Sequence, residues 1–181
     1  MVAIDMHAHV SVPAVDALLA GTPGLLEQQR RDAEALGESS MQYNIAHIGE
    51  LVAALSDVDL RIAAMDTAGI DVQAVSPVPV PHLWADRDLA QQIVSLSNAA
   101  VSAHCDLAPR RLIGIAIVSL QHPDLAIEQL KAAVSELDMR GVQIATNAGE
   151  HVEFDDPKLD DFWSAAADLD VPILIHPWGC S

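Results

Sequence analysis

The sequence has little cysteine and little positive charge. Its two cysteines, Cys105 and Cys180, form no C-x-x-C pair, so neither a disulfide framework nor a thiolate zinc site is indicated. Nine basic residues stand against 26 acidic ones, and the formal net charge is −17. A field of this sign repels phosphate backbones and anionic lipid surfaces, so neither nucleic acid nor a membrane is expected as a partner.

Segments that mark several other protein classes are also missing. No apolar run reaches the ~18 residues needed to span a bilayer, and the N-terminus lacks the basic and apolar regions of a signal peptide. A cytoplasmic protein is therefore expected. The absence of G-x-G-x-x-G and Walker-type loops argues against dinucleotide and phosphate-loop binding. The absence of G-x-S-x-G argues against a serine nucleophile on a strand-to-helix turn.

What the sequence does contain is a regular alternation of strand-like and helix-like segments. The strand-like runs are continuously apolar, which is typical of parallel strands covered on both faces; they are 2–6, 72–76, 112–118, 141–146 and 171–175. The helical patterns between them have apolar residues at helical spacing; they are 59–68, with Gly69 as a stop, 89–108, 123–137 and 157–169.

Two α/β architectures fit this alternation, an open doubly wound sheet and a (β/α)₈ TIM-type barrel. A doubly wound nucleotide binder usually has a Gly-rich turn after its first strand, whereas here H-A-H-V-S-V-P follows. We therefore predict a barrel, incomplete here and covering about the first five βα units. Residues 1–181 are expected to be part of one barrel domain, because a whole barrel needs about 250 residues.

A long insertion, residues 10–58, separates the first strand from its helix. It contains the turn residues Gly21-Thr22-Pro23-Gly24 and a partly helical middle. Barrels place such insertions at the carboxyl face, over the active site. A flexible lid and an oligomer contact are both compatible with this pattern.

Three histidines are the candidate metal ligands. His7 and His9 are two residues apart at the end of the first predicted strand, and alternate residues of a strand point to the same face. His176 follows the fifth apolar run at the equivalent end. Three imidazole nitrogens would leave zinc, or another divalent ion, an open position for water or substrate.

Other ionisable residues near these positions have weaker signals. Asp5 is expected to face the same side as His7, one layer deeper, as a packing residue or as a hydrogen-bond partner of the metal ligands. His82 follows P-V-P-V-P after the second strand and is a candidate substrate-binding residue at the border of the site. The remaining histidines are expected to be solvated or hydrogen-bonded structural residues; they are His47, His104, His122 and His151.

Several motifs together resemble the amidohydrolase-2 branch of the amidohydrolase superfamily, most closely its aminocarboxymuconate-semialdehyde decarboxylase-like members. I-D-M-H-A-H at 4–9 and I-L-I-H-P-W at 173–178 are similar to the two metal-site motifs of that branch. Further similarity lies in the segments 61–80, 109–118, 141–146 and 155–163.

The resemblance implies a (β/α)₈ barrel that binds one divalent metal, Zn²⁺ in most members and Mn²⁺ in some, through residues matching His7, His9 and His176. Binuclear relatives have a lysine or glutamate on strand four; the run G-V-Q-I-A-T has neither, so one metal is expected. Trp178, inside the second motif, is a candidate substrate-binding residue. The catalytic acid/base histidine and the fourth-ligand aspartate of the family are expected beyond Ser181.

The resemblance favours a metal-dependent non-oxidative decarboxylase, a carbon–carbon lyase, that acts on a small unsaturated or aromatic carboxylic acid. A metal-dependent amidohydrolase or lactonase is the alternative, because both reactions use the same ligands. An inactive barrel fragment is a third possibility. The family's arginine for the substrate carboxylate has no counterpart, since residues 41–60 contain no arginine. The expected partners are a small carboxylate and a second copy in a homodimer.

Overall fold

A computed structural model describes residues 1–79, 82–149 and 152–177 of the chain. Five parallel strands form one sheet in the order β1-β2-β3-β4-β5. Their bounds are β1 Ile4–Val10, β2 Val72–Pro77, β3 Leu112–Ile117, β4 Gly141–Ile144 and β5 Ile173–Ile175. All five predicted strands are present, although several ends differ by a few residues.

The strand order confirms the barrel and excludes the doubly wound alternative. A doubly wound sheet reverses its strand order at a switch point, whereas here each strand pairs with the next one in the chain. The pairing is also staggered: residues 112–114 of β3 pair with β2, and residues 115–117 pair with β4. Such stagger tilts the strands as in a closed barrel, and the sheet is accordingly a curled half-barrel.

The first strand is longer than predicted and contains a bulge. It extends to Val10, so His7 and His9 lie within β1 rather than after it. Asp5 pairs with Gln73 while Ala8 pairs with Val75, so β1 has one residue more than β2 between these two pairs. An extra residue reverses the alternation of side chains along a strand. In a regular strand Asp5, His7 and His9 would all face the same side of the sheet. With the bulge between them, Asp5 faces the opposite side from His7 and His9.

In the part of the chain that the structure describes, seven α-helices connect and cover the strands. They are α1 Pro13–Leu19, α2 Pro23–Leu36, α3 Glu38–Ser56, α4 Val58–Ala68, α5 Arg87–Asp106, α6 Pro123–Leu137 and α7 Asp160–Asp168, the last preceded by a 3₁₀ turn at Pro157–Leu159. Their ends have clear local causes. Asp57 accepts hydrogen bonds from the Asp59 and Leu60 amides at the start of α4, and Gly69, with φ +70°, ends that helix in the left-handed region. Within the described residues, no helix combines the length and the apolar character required to cross a membrane.

The segment between β1 and α4 contains three of these helices. Val15 and Leu19 of α1 are buried against the first turns of α5. Helix α2 buries no residue completely, but its Gly24 lies so close to Trp84, in the loop after β2, that a Cβ at position 24 would overlap the indole ring. This close approach joins the start of α2 to the carboxyl face of the half-barrel.

The buried core lies mainly between the sheet and the helix layer. One cluster joins Met65 of α4 and Val101 of α5 to Val75 of β2. A second cluster joins α6 and α7 to β4, and Phe162, fully buried, is its largest side chain. The sheet is therefore fixed by apolar contacts on its outer face, while His9, Ser76 and Gln143 place polar groups on the inner side of β1, β2 and β4.

Candidate metal centre

Three histidine side chains meet at the carboxyl ends of the first and last strands. His7 and His9 lie on β1, and His176 directly follows β5, where its amide donates to the Ile144 carbonyl of β4. Both imidazoles face the inside of the half-barrel, as alternate residues of a strand do, while Ala8 and Val10 are buried against the helices. The curl of the sheet thus brings together residues that are 169 positions apart in the chain.

The two ring-nitrogen separations measured from His7 are within the range of atoms that bind one ion. Nε2 of His7 lies 3.0 Å from Nε2 of His9 and 2.9 Å from Nε2 of His176. All three candidate ligand atoms lie within 4.8 Å of one another. Two nitrogens bound to one zinc at ~2.0–2.1 Å are at most ~4 Å apart. Both of the separations measured from His7 fall inside that limit.

Hydrogen bonds on the opposite ring atoms decide which nitrogens carry protons. Nδ1 of His176 lies 2.8 Å from the Pro177 carbonyl, which only accepts, so this nitrogen is the donor. The Ser76 hydroxyl donates to Oε1 of Gln143 at 2.8 Å, so it accepts from Nδ1 of His9 at 3.0 Å. We therefore assign bare Nε2 lone pairs to His9 and His176. Two lone pairs directed at His7 form an electron-rich point that suits a cation.

The surroundings of His9 and His176 favour the neutral imidazole, which is the form that binds metals. Burial lowers the pKa of His9 to about 4, with smaller contributions from charge on His7 and His176. Burial likewise lowers the pKa of His176, although the bond to the Pro177 carbonyl opposes this effect. Both rings are therefore uncharged at neutral pH and offer nitrogen lone pairs.

Ser76 and Gln143 form a hydrogen-bonded chain that holds the His9 ring. Replacing Ser76 by alanine is expected to weaken divalent-metal binding about 10-fold. The reason is that changes in the groups that hold a ligating histidine typically lower metal affinity 10–100-fold. Ser76 is 2 % exposed and is the cross-strand neighbour of His9. Competition with a chromophoric chelator would measure the affinity. Ser135→Ala, on the exposed face of α6, is the control. Equal affinities for both variants would contradict a supporting role for Ser76.

The predicted position of Asp5 is wrong, because the bulge turns its side chain away from the inside of the half-barrel. Its Oδ2 accepts from Nε2 of Gln73 at 2.8 Å, and Gln73 in turn contacts Arg61 of α4, so Asp5 lies on the helix side of the sheet. It nevertheless touches the metal strand, since Oδ1 accepts from the His7 amide at 3.1 Å. A packing role alone does not describe it.

The two predicted substrate-binding residues have different outcomes. His82 is buried in the loop after β2, and its carbonyl accepts from the Gln121 side chain at 2.8 Å. Its contact with a substrate stays a prediction. Trp178 lies outside the described residues, and so does His151. His104 and His122 are hydrogen-bonded structural residues as expected, and His47 is exposed on α3, where it stacks with Tyr43.

Ser76, Gln143 and Arg61 were not among the residues singled out from the sequence. A usable signal existed for the first two: each is a polar residue inside a short apolar strand, in V-Q-A-V-S and G-V-Q-I-A-T. Such a strand is covered on both faces, so its polar side chains need a buried partner. Arg61 had no comparable signal, because arginine is an ordinary residue on an exposed helix face.

The sequence matches a known family along almost its whole length. The family model described as Amidohydrolase, Amidohydro_2, aligns with residues 4–179. The chain belongs to this amidohydrolase family. The match includes all five strands and the three histidines, and it confirms the resemblance inferred from the motifs.

Two relatives of this amidohydrolase are decarboxylases. The 2-amino-3-carboxymuconate-6-semialdehyde decarboxylase of Dictyostelium discoideum is 26 % identical over 97 % of the chain and 48 % of its own length. The gamma-resorcylate decarboxylase of Rhodococcus jostii (strain RHA1) is 32 % identical over 84 % of the chain and 49 % of its own length. The chain thus spans about half the length of these relatives.

A solved structure with the same fold contains a divalent metal. The dihydroxybenzoic acid decarboxylase of Polaromonas sp. JS666, with bound manganese and the inhibitor 2-nitroresorcinol, superposes with a TM-score of 0.74. It is 23 % identical, and the match covers 98 % of this chain and 50 % of that protein. At this identity the likeness establishes the fold, and it agrees with an incomplete TIM-type barrel.

Proposed function

We propose that this amidohydrolase holds one divalent cation between His7, His9 and His176 and acts in the non-oxidative decarboxylation of a small unsaturated or aromatic carboxylic acid. One observation carries the proposal: Nε2 of His9 and Nε2 of His176 lie 3.0 Å and 2.9 Å from Nε2 of His7 at the mouth of the half-barrel, and the hydrogen bonds at the Nδ1 atoms of His9 and His176 assign the protons to the other side of those rings. The decarboxylase relatives support the reaction type. Residues 1–181 would contribute as part of one barrel domain.

The residues of the chain have distinct tasks in this proposal. His9 and His176 keep their protons on Nδ1, because Ser76 and the Pro177 carbonyl accept them. When bound, a divalent cation supplies a Lewis acid that draws a carboxylate or phenolate oxygen to the strand ends. With a net charge of −17 on the chain, an anionic substrate needs such a local positive charge in order to bind.

The experiment that tests the proposal has two stages. In the first, the purified chain is loaded with Zn²⁺ or Mn²⁺ and its metal content is measured; one ion per chain is expected. In the second, carbon dioxide release by the whole barrel domain that contains residues 1–181 is followed with gamma-resorcylate and with 2-amino-3-carboxymuconate-6-semialdehyde, with and without metal. Release that depends on the metal and on His7 is expected, and His47→Ala is the matched control.

Other results of this experiment would contradict the proposal. Turnover of a lactone or an amide without carbon dioxide release would favour the hydrolase alternative. One bound metal without either activity would favour an inactive half-barrel. The choice between Zn²⁺ and Mn²⁺ is decided by which ion restores activity to metal-free protein. A homodimer and a cytoplasmic location are part of the same proposal, and size-exclusion chromatography tests the dimer.

A further inference from the structure

Arg61 is a buried cation on the outer side of the half-barrel. It lies in the first turn of α4 and is only 7 % exposed. Within the described residues no carboxylate forms a direct ion pair with it; its donors instead meet neutral acceptors. A buried charge without a direct counter-ion is costly. Stability alone therefore does not explain why an arginine occupies this position. The positions of its hydrogen-bond acceptors indicate another role.

The guanidinium reaches the backbone of the metal strand. Nη2 donates to the carbonyl of His9 and, at 3.4 Å, to the carbonyl of Leu55 at the end of α3. Nε donates to Nε2 of His104 on α5 at 3.1 Å. Burial, and secondarily the charge on Arg61, lowers the pKa of His104, which keeps that ring neutral and able to accept.

A second branch from Arg61 reaches the other end of the same segment. Nη1 donates to Oε1 of Gln73 at 2.7 Å, and Nε2 of Gln73 donates to Asp5 at 2.8 Å. The other oxygen of Asp5 accepts from the His7 amide at 3.1 Å. Arg61, Gln73 and Asp5, which we call the outer clamp, therefore hold the amide of His7 and the carbonyl of His9 at the same time.

The clamp acts where β1 departs from regular pairing. The register of β1 against β2 shifts between Asp5 and Ala8, so the ladder is locally disrupted beside His7. Without other restraints, the two imidazoles of this segment would lose alignment with His176. At the place where the ladder is disrupted, the side chains of the outer clamp form hydrogen bonds with the backbone of β1.

We propose that Arg61 is a positioning residue, which sets the metal affinity of the site by holding the His7–His9 segment from outside the barrel through Gln73 and Asp5. This inference rests on the proposed metal centre. Arg61 touches neither metal nor substrate in this role. Its effect reaches the site through the backbone of β1 alone.

The test compares metal affinity and local backbone exchange in matched variants. Arg61→Lys keeps the charge but cannot reach all the acceptors, and it is expected to weaken Zn²⁺ binding about 10-fold, at the lower end of the range for groups that orient metal ligands. Gln73→Met interrupts the branch to Asp5 while leaving Arg61 in place, and a smaller loss in the same direction is expected. Affinity is measured by chelator competition.

Two controls separate positioning from general destabilisation. Leu130→Ala removes a fully buried side chain of α6, in the core cluster that contains no residue of β1, and lowers stability at a distance from the clamp. Arg111→Met removes an arginine that also donates to backbone carbonyls, those of Asp71 and Ile70, at the amino ends of the strands. Both controls are expected to keep Zn²⁺ affinity within about 3-fold, because neither contacts the segment that carries the ligands.

A metal-free measurement completes the test. Amide hydrogen exchange in Arg61→Lys is expected to accelerate at residues 7–11 while β3 keeps its protection. Unchanged affinity and exchange in Arg61→Lys, or losses that Leu130→Ala reproduces, would overturn the inference. Wild-type protein that binds no metal would instead contradict the proposed metal centre, and the exchange pattern would then decide on the clamp by itself.

Discussion

Replacing His176 by alanine is expected to weaken divalent-metal binding by roughly 10²–10³-fold. Four ligands of a structural zinc together supply ~10–16 kcal/mol, so one ligand is worth about 2.5–4 kcal/mol, and each 1.4 kcal/mol is a factor of ten. His176 is the sole candidate ligand that β5 contributes among the described residues. Without it, His7 and His9 remain as a pair on one strand, which is a weak site.

The measurement for His176 is isothermal titration or chelator competition with Zn²⁺ and Mn²⁺. His47→Ala is the matched control, because that histidine is exposed on α3 and its ring stacks on Tyr43 rather than on the cluster. The control is expected to bind metal as the unmodified chain does. A His176→Ala protein with undiminished affinity would show that the cation binds elsewhere, and the proposed site would have to be abandoned.

Replacing Phe162 by alanine is expected to lower the free energy of unfolding by about 3–5 kcal/mol. Phe162 is fully buried in the cluster between α6, α7 and β4, and its ring meets that of Trp163 edge to face at 5.0 Å. Truncation leaves a cavity that close-packed neighbours fill only in part. A loss of this size is a large share of the ~5–15 kcal/mol that stabilises a typical domain.

Urea unfolding of the metal-free protein measures this loss. Leu107→Ala is the control, since Leu107 is 68 % exposed after α5 and its truncation is expected to change stability by less than about 0.5 kcal/mol. Because α7 leads directly into β5, Phe162→Ala is also expected to loosen the strand that positions His176. A loss below about 1 kcal/mol would mean that α7 does not pack on the sheet as described.

Much of the fold could be predicted because buried parallel strands have a simple signature. The apolar runs 72–76 and 112–118 correspond to β2 and β3. The observed ends of these two strands lie within one residue of the predicted ends. Gly69 was correctly predicted to end α4, since a positive φ favours glycine. The bounds of β1 were wrong, because His7 and His9 are polar and the pattern treated them as the end of an apolar run.

The bulge in β1 could not be predicted from the residues that form it. A bulge depends on the register between two strands, and register is a property of the pair rather than of either sequence. Asp5 was therefore assigned to the wrong face. The three helices at Pro13–Ser56 were also only partly foreseen, and α2, in which no residue is completely buried, is one of them.

The order of the elements, the barrel class and the three candidate ligands were determined by the sequence alone, because strand periodicity and residue type are local properties. Tertiary structure decided the rest. It brought His176 to within 2.9 Å of His7, assigned protons through Ser76 and the Pro177 carbonyl, and placed Arg61 behind the metal strand. These are relations between distant segments, and only the curl and register of the assembled sheet fix the distances on which they depend.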